Sequence, residues 1–172
     1  MTSPSPLPRT IILMGVSGCG KTLIGEKLAP RFGAVFEDAD NFHTPAAKEK
    51  MRAGIALTDD DRWPRYARLR ARIEEMRGQA PCYILACSAL KQIYRDKLSI
   101  GEGHDLLRFV FMDGSFELIS GRLSHRKHEY MPASLLKSQF DTLERPADAV
   151  IVSIDKTPDA IVDEVASHFT LP

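Results

Sequence analysis

The segment GVSGCGKT, residues 15–22, combines residue types that bind the phosphates of a nucleoside triphosphate. It matches the pattern G-x-x-x-x-G-K-[ST], whose glycines let backbone N–H groups turn inward around an anion. In that pattern Lys21 reaches the β- and γ-phosphates, and the hydroxyl of Thr22 binds Mg²⁺. The sequence therefore predicts a phosphate-binding loop with nucleotide contacts from Gly15, Val16, Ser17, Gly18, Cys19, Gly20, Lys21 and Thr22.

Carboxylates follow two predicted strands, where a second magnesium ligand and a general base could lie. After the second strand, Asp38 and Asp40 form a D-x-D pair whose side chains would point to one side of an extended strand end. Asp38 can face the metal, and Asp40 can accept a proton from, or position, an attacking hydroxyl. A helix-capping or turn pair is the alternative interpretation. Asp113 follows another strand and is interpreted as part of an Asp-Gly-Ser turn.

Arginines flank a polar segment, SHRKHEY, that interrupts a helical pattern. Arg122 and Arg126 are four residues apart, so they would share one helix face. On a closing lid over residues 124–131, Arg126 could neutralise the phosphoryl group in transfer and Arg122 could bind the nucleotide. Solvated charges at a helix end are the alternative.

Cations and hydrogen-bonding side chains cluster around the third strand. His43 and Arg62 precede this strand, and Lys91 and Arg95 follow it. Such a set suits a small acceptor that is both anionic and hydroxylated. Ordinary charges on surface helices would give the same pattern.

Alternating strand and helix patterns determine where these side chains meet. We predict strands over 10–14, 34–37, 82–87, 106–112 and 149–154, each followed by helical periodicity. This alternation predicts one α/β domain over 1–172, with a parallel sheet covered by helices on both faces and ligands at the carboxyl ends of the strands. Ser88 is predicted to start a helix running to about Leu98, and residues 1–8 to form a loose tail.

Composition narrows the possible partners and the location. Lys plus Arg and Asp plus Glu number 23 each, so net charge favours neither a nucleic-acid partner nor an anionic membrane. No apolar run approaches the roughly 18 residues of a membrane span. Three cysteines without C-x-x-C spacing, and a Pro-rich start unlike a signal peptide, predict a cytoplasmic protein.

Four longer segments resemble gluconokinases, a family of P-loop small-molecule kinases. These are DADNFH, KEKMRAGIALTDDDRWP, ACSALKQIYRDKL and MPASLLKSQFDTLERP, and the resemblance extends from about Ile11 to Asp155. It implies a P-loop NTPase fold with a five-stranded parallel sheet in the order 2-3-1-4-5. It also implies ATP-dependent, Mg²⁺-dependent phosphorylation of D-gluconate at the C6 hydroxyl, and a possible homodimer.

The resemblance also assigns the acceptor site. It implies gluconate contacts from Asp40, His43, Arg62, Lys91, Arg95 and Arg126, which are the cations and hydroxyl-binding groups noted above. Two departures stand out: the loop reads GVSGCGKT where the family commonly has GVSGSGKS, and residues 126–130 read RKHEY where Arg-x-Gly-His-Phe is typical. A shikimate-kinase-like or other small-metabolite kinase, or a non-catalytic nucleotide-binding protein, are the alternatives.

Overall fold

The computed structural model describes residues 2–126 and 133–172, within which the chain forms seven strands and seven α-helices. The strands are β1 (Ser5–Pro6), β2 (Thr10–Met14), β3 (Val35–Asp38), β4 (Tyr83–Ala86), β5 (Leu107–Asp113), β6 (Val150–Ser153) and β7 (Phe169–Thr170). The helices are α1 (Lys21–Phe32), α2 (Pro45–Arg52), α3 (Asp59–Arg77), α4 (Gln92–Ser99), α5 (Phe116–Ser124), α6 (Ala133–Thr142) and α7 (Pro158–Ser167).

A parallel sheet in the order β3-β4-β2-β5-β6 forms the centre of the molecule. Counted along the chain within this sheet, the order is 2-3-1-4-5, so the predicted topology is confirmed. Every residue of the central strand β2 is buried, as its β-branched and apolar composition predicts. The parallel arrangement brings the carboxyl ends of β2, β3 and β4 to one edge of the sheet.

Helices cover both faces of the sheet, and each face has its own apolar core. On one face α1 and α7 contribute Ile24, Leu28 and Val165. On the other, α3 contributes Leu69 and Ile73. These residues recur at helical spacing, so the predicted helices on both faces are confirmed.

Local sequence chemistry sets several of the helix ends. Gly33 ends α1 in the left-handed conformation, with φ of 60°. Thr58 and Asp61 form a reciprocal capping box at the start of α3, and the side chain of Thr44 caps α2. These caps fix where α1 ends and where α2 and α3 begin.

The prediction of a loose tail over residues 1–8 is wrong for the second half of that segment. Ser5–Pro6 pairs in parallel with Phe169–Thr170, and the Leu7 N–H donates to the Thr170 carbonyl at 3.0 Å. Leu7 also packs against the buried core. The pairing partner lies near the other end of the chain, so no local pattern could have indicated it.

The prediction that Ser88 starts a helix is also wrong. Helix α4 begins at Gln92, with Lys91 at its N-cap. Ala89 has a φ of 45°, in the left-handed region, which interrupts any helix through this segment. Ser88 therefore lies in a loop after β4. None of the helices in the described ranges is long and apolar enough to cross a bilayer.

Candidate active site

A cavity of about 580 Å³ lies where β2, β3 and β4 end. Its walls come from the loop after β2, the acidic segment after β3, the residues after β4, and the ends of α3 and α5. The lining side chains include Lys21, Thr22, Asp38, Asp40, Arg65, Ser88 and Arg126. Ligands of parallel α/β sheets bind at this edge, as the sequence predicts.

The phosphate loop, Gly15–Thr22, requires glycine at the positions where the sequence has it. Gly15, Gly18 and Gly20 have φ values of 145°, 82° and 97°. A Cβ atom added to Gly15 would lie 2.8 Å from the sulfur of Cys19, and one added to Gly18 would lie 2.9 Å from Leu123. Backbone amides of such a loop converge, and α1 starts at Lys21 with its positive end at the cavity.

Lys21 and the rest of the loop are held by short contacts. The Lys21 ammonium donates to the carbonyls of Gly15 and Val16 at 2.8 and 3.1 Å. The Gly15 N–H donates to the Ser88 carbonyl at 3.2 Å, which joins the loop to the end of β4. The side chain of Cys19 is buried and belongs to the apolar core on this side of the sheet.

The two candidate magnesium ligands lie together. The Thr22 hydroxyl donates to Asp38 Oδ2 at 2.8 Å, and both residues line the cavity. Hydroxyl and carboxylate oxygens are the ligands that Mg²⁺ prefers, so this pair fits the metal. Asp113 is engaged elsewhere, because its carboxylate accepts two hydrogen bonds from Arg145 at 2.7 and 3.1 Å.

The D-x-D pair combines the two interpretations that the sequence left open. Asp38 ends β3, but Asp40 lies in a short 3₁₀ helix, Ala39–Phe42, rather than along the strand. Asp38 Oδ1 accepts the Asp40 N–H at 2.9 Å, so Asp38 caps that helix while Oδ2 contacts Thr22. The expected strand alternation is wrong, yet both carboxylates line the cavity.

Asp40, His43 and Arg65 form a group that we call the acceptor cluster. His43 Nε2 lies 3.6 Å from Asp40 Oδ1 and 3.0 Å from Arg65 Nη1, and Arg65 Nη1 is 3.9 Å from Asp40 Oδ1. Arginine only donates, so His43 Nε2 accepts and its ring is neutral. Burial, followed by the charge of Arg65, lowers the pKa of His43, and the Asp40 carboxylate partly opposes this. The Asp40 side chain is 82% exposed and can reach a ligand.

Arg65 was not among the predicted site residues, although the sequence contains a signal for it. The buried face of α3 includes Leu69 and Ile73, and Arg65 lies four residues before Leu69. A charged residue on a buried helix face requires polar partners, which here are Asp40 and His43. Its relative exposure is only 9%.

Comparison with known proteins identifies the family to which the chain belongs. No known family profile matches the chain. The gluconokinase of Gluconobacter oxydans (strain 621H) is 43% identical over 166 residues, covering 94% of this chain and 92% of that protein. The chain belongs to the gluconokinase family. The crystal structure of a gluconokinase from Sinorhizobium meliloti 1021 has a TM-score of 0.82 at 40% identity, covering 95% of this chain and 92% of that chain.

More distant structures confirm the P-loop kinase fold. Shikimate kinase from Aquifex aeolicus vf5 has a TM-score of 0.58 at 17% identity, covering 91% of this chain and 92% of that chain. At this identity the likeness is one of fold alone. The predicted P-loop NTPase architecture is therefore confirmed.

Two of the cations that the gluconokinase resemblance assigns to gluconate lie on an aromatic ring next to the cavity. The Arg62 guanidinium and the Lys91 ammonium are 5.4 and 5.5 Å from the centre of the Tyr94 ring. Burial raises the pKa of Tyr94 to about 12, so its hydroxyl stays protonated and donates to Asp59. Neither cation is among the residues that line the cavity.

Arg95, a third cation of the gluconokinase pattern, does not reach the cavity. It is buried and donates to the carbonyls of Ala89, Leu90 and Glu144, each within 3.1 Å, and to the side chain of Gln92. These acceptors occupy the guanidinium and hold the loop after β4. The structure thus gives Arg95 a loop-supporting position where the sequence predicted a substrate contact.

The two arginines of the predicted lid, Arg122 and Arg126, occupy separate places. Helix α5 ends at Ser124, so Arg126 lies beyond it and the predicted shared helix face is wrong. Arg126 lines the cavity, whereas Arg122 donates to the Ile154 carbonyl at 2.7 Å, just after β6. The remainder of the predicted lid, residues 127–131, falls outside the described residues.

Proposed function

We propose that this protein is an ATP-dependent gluconokinase that converts D-gluconate and ATP into 6-phospho-D-gluconate and ADP. The observation that carries this proposal is that the phosphate loop lines one cavity together with Asp40 and Arg65 of the acceptor cluster. The third member, His43, contacts both of these side chains. Family membership supports the choice of gluconate as acceptor.

The nucleotide side of the cavity binds the phosphates of ATP. The converging amides of Gly15–Thr22 and the positive end of α1 hold the β- and γ-phosphates, and Lys21 moves from its loop carbonyls to the terminal phosphate. Thr22 and Asp38 hold Mg²⁺, which supplies charge neutralisation on the phosphate oxygens when bound. The nucleotide role of Arg122, beside Ile154, remains a prediction.

The acceptor side orients the sugar acid. Asp40 accepts a hydrogen bond from the C6 hydroxyl of gluconate. It takes the proton as the C6 oxygen attacks the terminal phosphorus of ATP and ADP leaves. Neutral His43 can donate from Nδ1 to a hydroxyl, and the cationic charge of Arg65 favours the gluconate carboxylate. Arg126 neutralises charge on the transferring group. Arg62 and Lys91 remain predicted contacts, which require them to leave the Tyr94 ring.

An acceptor screen tests this function. ADP release is measured with gluconate, shikimate or AMP, and with no acceptor. We expect turnover that depends on gluconate and yields phosphate on the C6 oxygen. Turnover with shikimate or AMP alone would identify another small-molecule kinase, and no acceptor-dependent turnover would indicate a nucleotide-binding protein without catalysis.

We further propose the partners, the location, the domain organisation and the oligomeric state of the protein. The neutral net charge favours small-molecule partners over nucleic acid or membrane, and the sparse cysteines favour the cytoplasm. Residues 1–172 act as one kinase domain, with residues 124–131 as its lid. The protein forms a homodimer, which sedimentation analysis would test.

A further inference from the structure

Helix α6 reaches the phosphate loop through one side chain, Gln139. The Ser17 N–H donates to Gln139 Oε1 at 2.7 Å, and Gln139 Nε2 donates to the Ser17 hydroxyl at 2.9 Å. Ser17 itself lines the cavity. The two hydrogen bonds close a ring between one amide and one loop residue, 122 positions apart in the chain.

An amide suits this position because it supplies an acceptor and a donor without adding charge. The acceptor fixes the direction of the Ser17 N–H, and the donor fixes the rotamer of its hydroxyl. A carboxylate here would place a negative charge beside a loop that binds phosphates. Gln139 therefore fixes the shape of the loop while leaving its positive potential unchanged.

The helix that carries Gln139 is firmly anchored. Leu136, one turn earlier, is buried in the core, and the Phe140 ring packs edge-on against Phe116 with 5.8 Å between centres. Just beyond α6, the Glu144 N–H donates to the Leu90 carbonyl at 2.8 Å. Gln139 thus projects from a rigid support, which a positioning residue needs.

We propose that Gln139 is a positioning residue for ATP: it holds Ser17, and through it the amides of the phosphate loop, in the arrangement that accepts the β- and γ-phosphates. The proposal builds on the function proposed above. Gln139 acts through the loop and does not touch the acceptor cluster, so its loss affects ATP more than gluconate.

The test compares Gln139→Ala with Lys137→Ala. Lys137 lies on the same helix and pairs with Asp141, with side chains 70% and 64% exposed, so its loss controls for a change in α6 alone. For Gln139→Ala we expect the KM for ATP and the Kd for a non-hydrolysable ATP analogue to rise about tenfold, as two hydrogen bonds of ordinary strength allow. The KM for gluconate stays within about twofold, and Lys137→Ala matches wild type.

A second variant, Gln139→Met, keeps the length of the side chain without the amide and guards against misfolding of the alanine variant. Nucleotide affinity unchanged in both variants would overturn the proposal. Parallel losses of ATP and gluconate affinity would also overturn it, because they indicate general loosening of the fold. The analogue Kd is measured without gluconate, so it still tests Gln139 if wild-type protein binds the analogue but does not phosphorylate gluconate.

Discussion

The phosphate loop and the acceptor cluster both contribute side chains to the lining of one cavity but are encoded in different ways. The loop is one continuous stretch, Gly15–Thr22, whose backbone angles depend on its own glycines. The cluster takes Asp40 and His43 from the segment after β3 and Arg65 from α3. A continuous loop can be identified from its motif, whereas the cluster depends on how α3 packs against the 3₁₀ helix after β3.

Substitution of Lys21 should produce the largest effect, because a kinase needs the phosphate loop whichever acceptor it phosphorylates. We expect Lys21→Ala to lower kcat/KM on the order of 10³-fold, since it removes the side-chain charge facing the transferring phosphate. The control is Lys27→Ala, on the same helix as Lys21. It removes only an exposed ion pair with Asp159 of α7 and should change activity little. Near-normal turnover of Lys21→Ala would remove the loop from catalysis. Steady-state kinetics decide this.

Asp40→Asn tests the acceptor side separately from the nucleotide side. We expect kcat to fall on the order of 10²-fold, because the general base is lost, while the Kd of an ATP analogue stays the same. Glu49→Gln, an exposed acid on α2, is the control. An unchanged kcat would exclude Asp40 from the chemistry, and weakened analogue binding would show that the two sides are not separable.

Arg95→Met distinguishes a supporting residue from a substrate contact. Its loss removes the donor of the buried Ala89 carbonyl and one of the two donors of the Leu90 carbonyl, so we expect the free energy of unfolding to fall by about 3 kcal/mol. Lys91→Met, which removes a half-exposed ion pair with Asp59 and a cation–π contact with Tyr94, should cost less, about 1 kcal/mol. Denaturant titration measures both. A normal stability with a raised gluconate KM would instead restore Arg95 to the substrate site.

The smallest expected effect is the titration of His43. Its pKa is lowered from the ordinary value of 6.5 by burial and then by Arg65, so NMR should show the ring protonating below that value. Arg65→Met should raise the pKa, whereas Arg68→Met on the same helix should not. Between the lowered pKa and 6.5 the unfolded chain binds more protons, so His43 makes stability rise with pH there and decline as pH falls. An unshifted His43 would contradict the Arg65 contact.

Particular residues show how far the sequence could predict the structure. The helix caps and the phosphate loop were accessible because each depends on residues adjacent in the chain, such as Gly33 ending α1. The strand order, which joins segments far apart in the chain, was predicted only through the resemblance to gluconokinases. The pairing of Ser5–Pro6 with Phe169–Thr170, the left-handed Ala89, and the role of Arg95 depend on distant partners. Arg65 lies between these cases. Its helical spacing indicates a buried position, but it does not indicate which residues Arg65 would contact.

The most direct test of the proposed reaction is a crystal structure with gluconate and a non-hydrolysable ATP analogue. We predict the terminal phosphate against Lys21 and the loop amides, with the C6 oxygen of gluconate hydrogen-bonded to Asp40 and directed at that phosphate. Gluconate bound away from the phosphate loop, or with C6 directed away from the nucleotide, would contradict the proposed phosphoryl transfer.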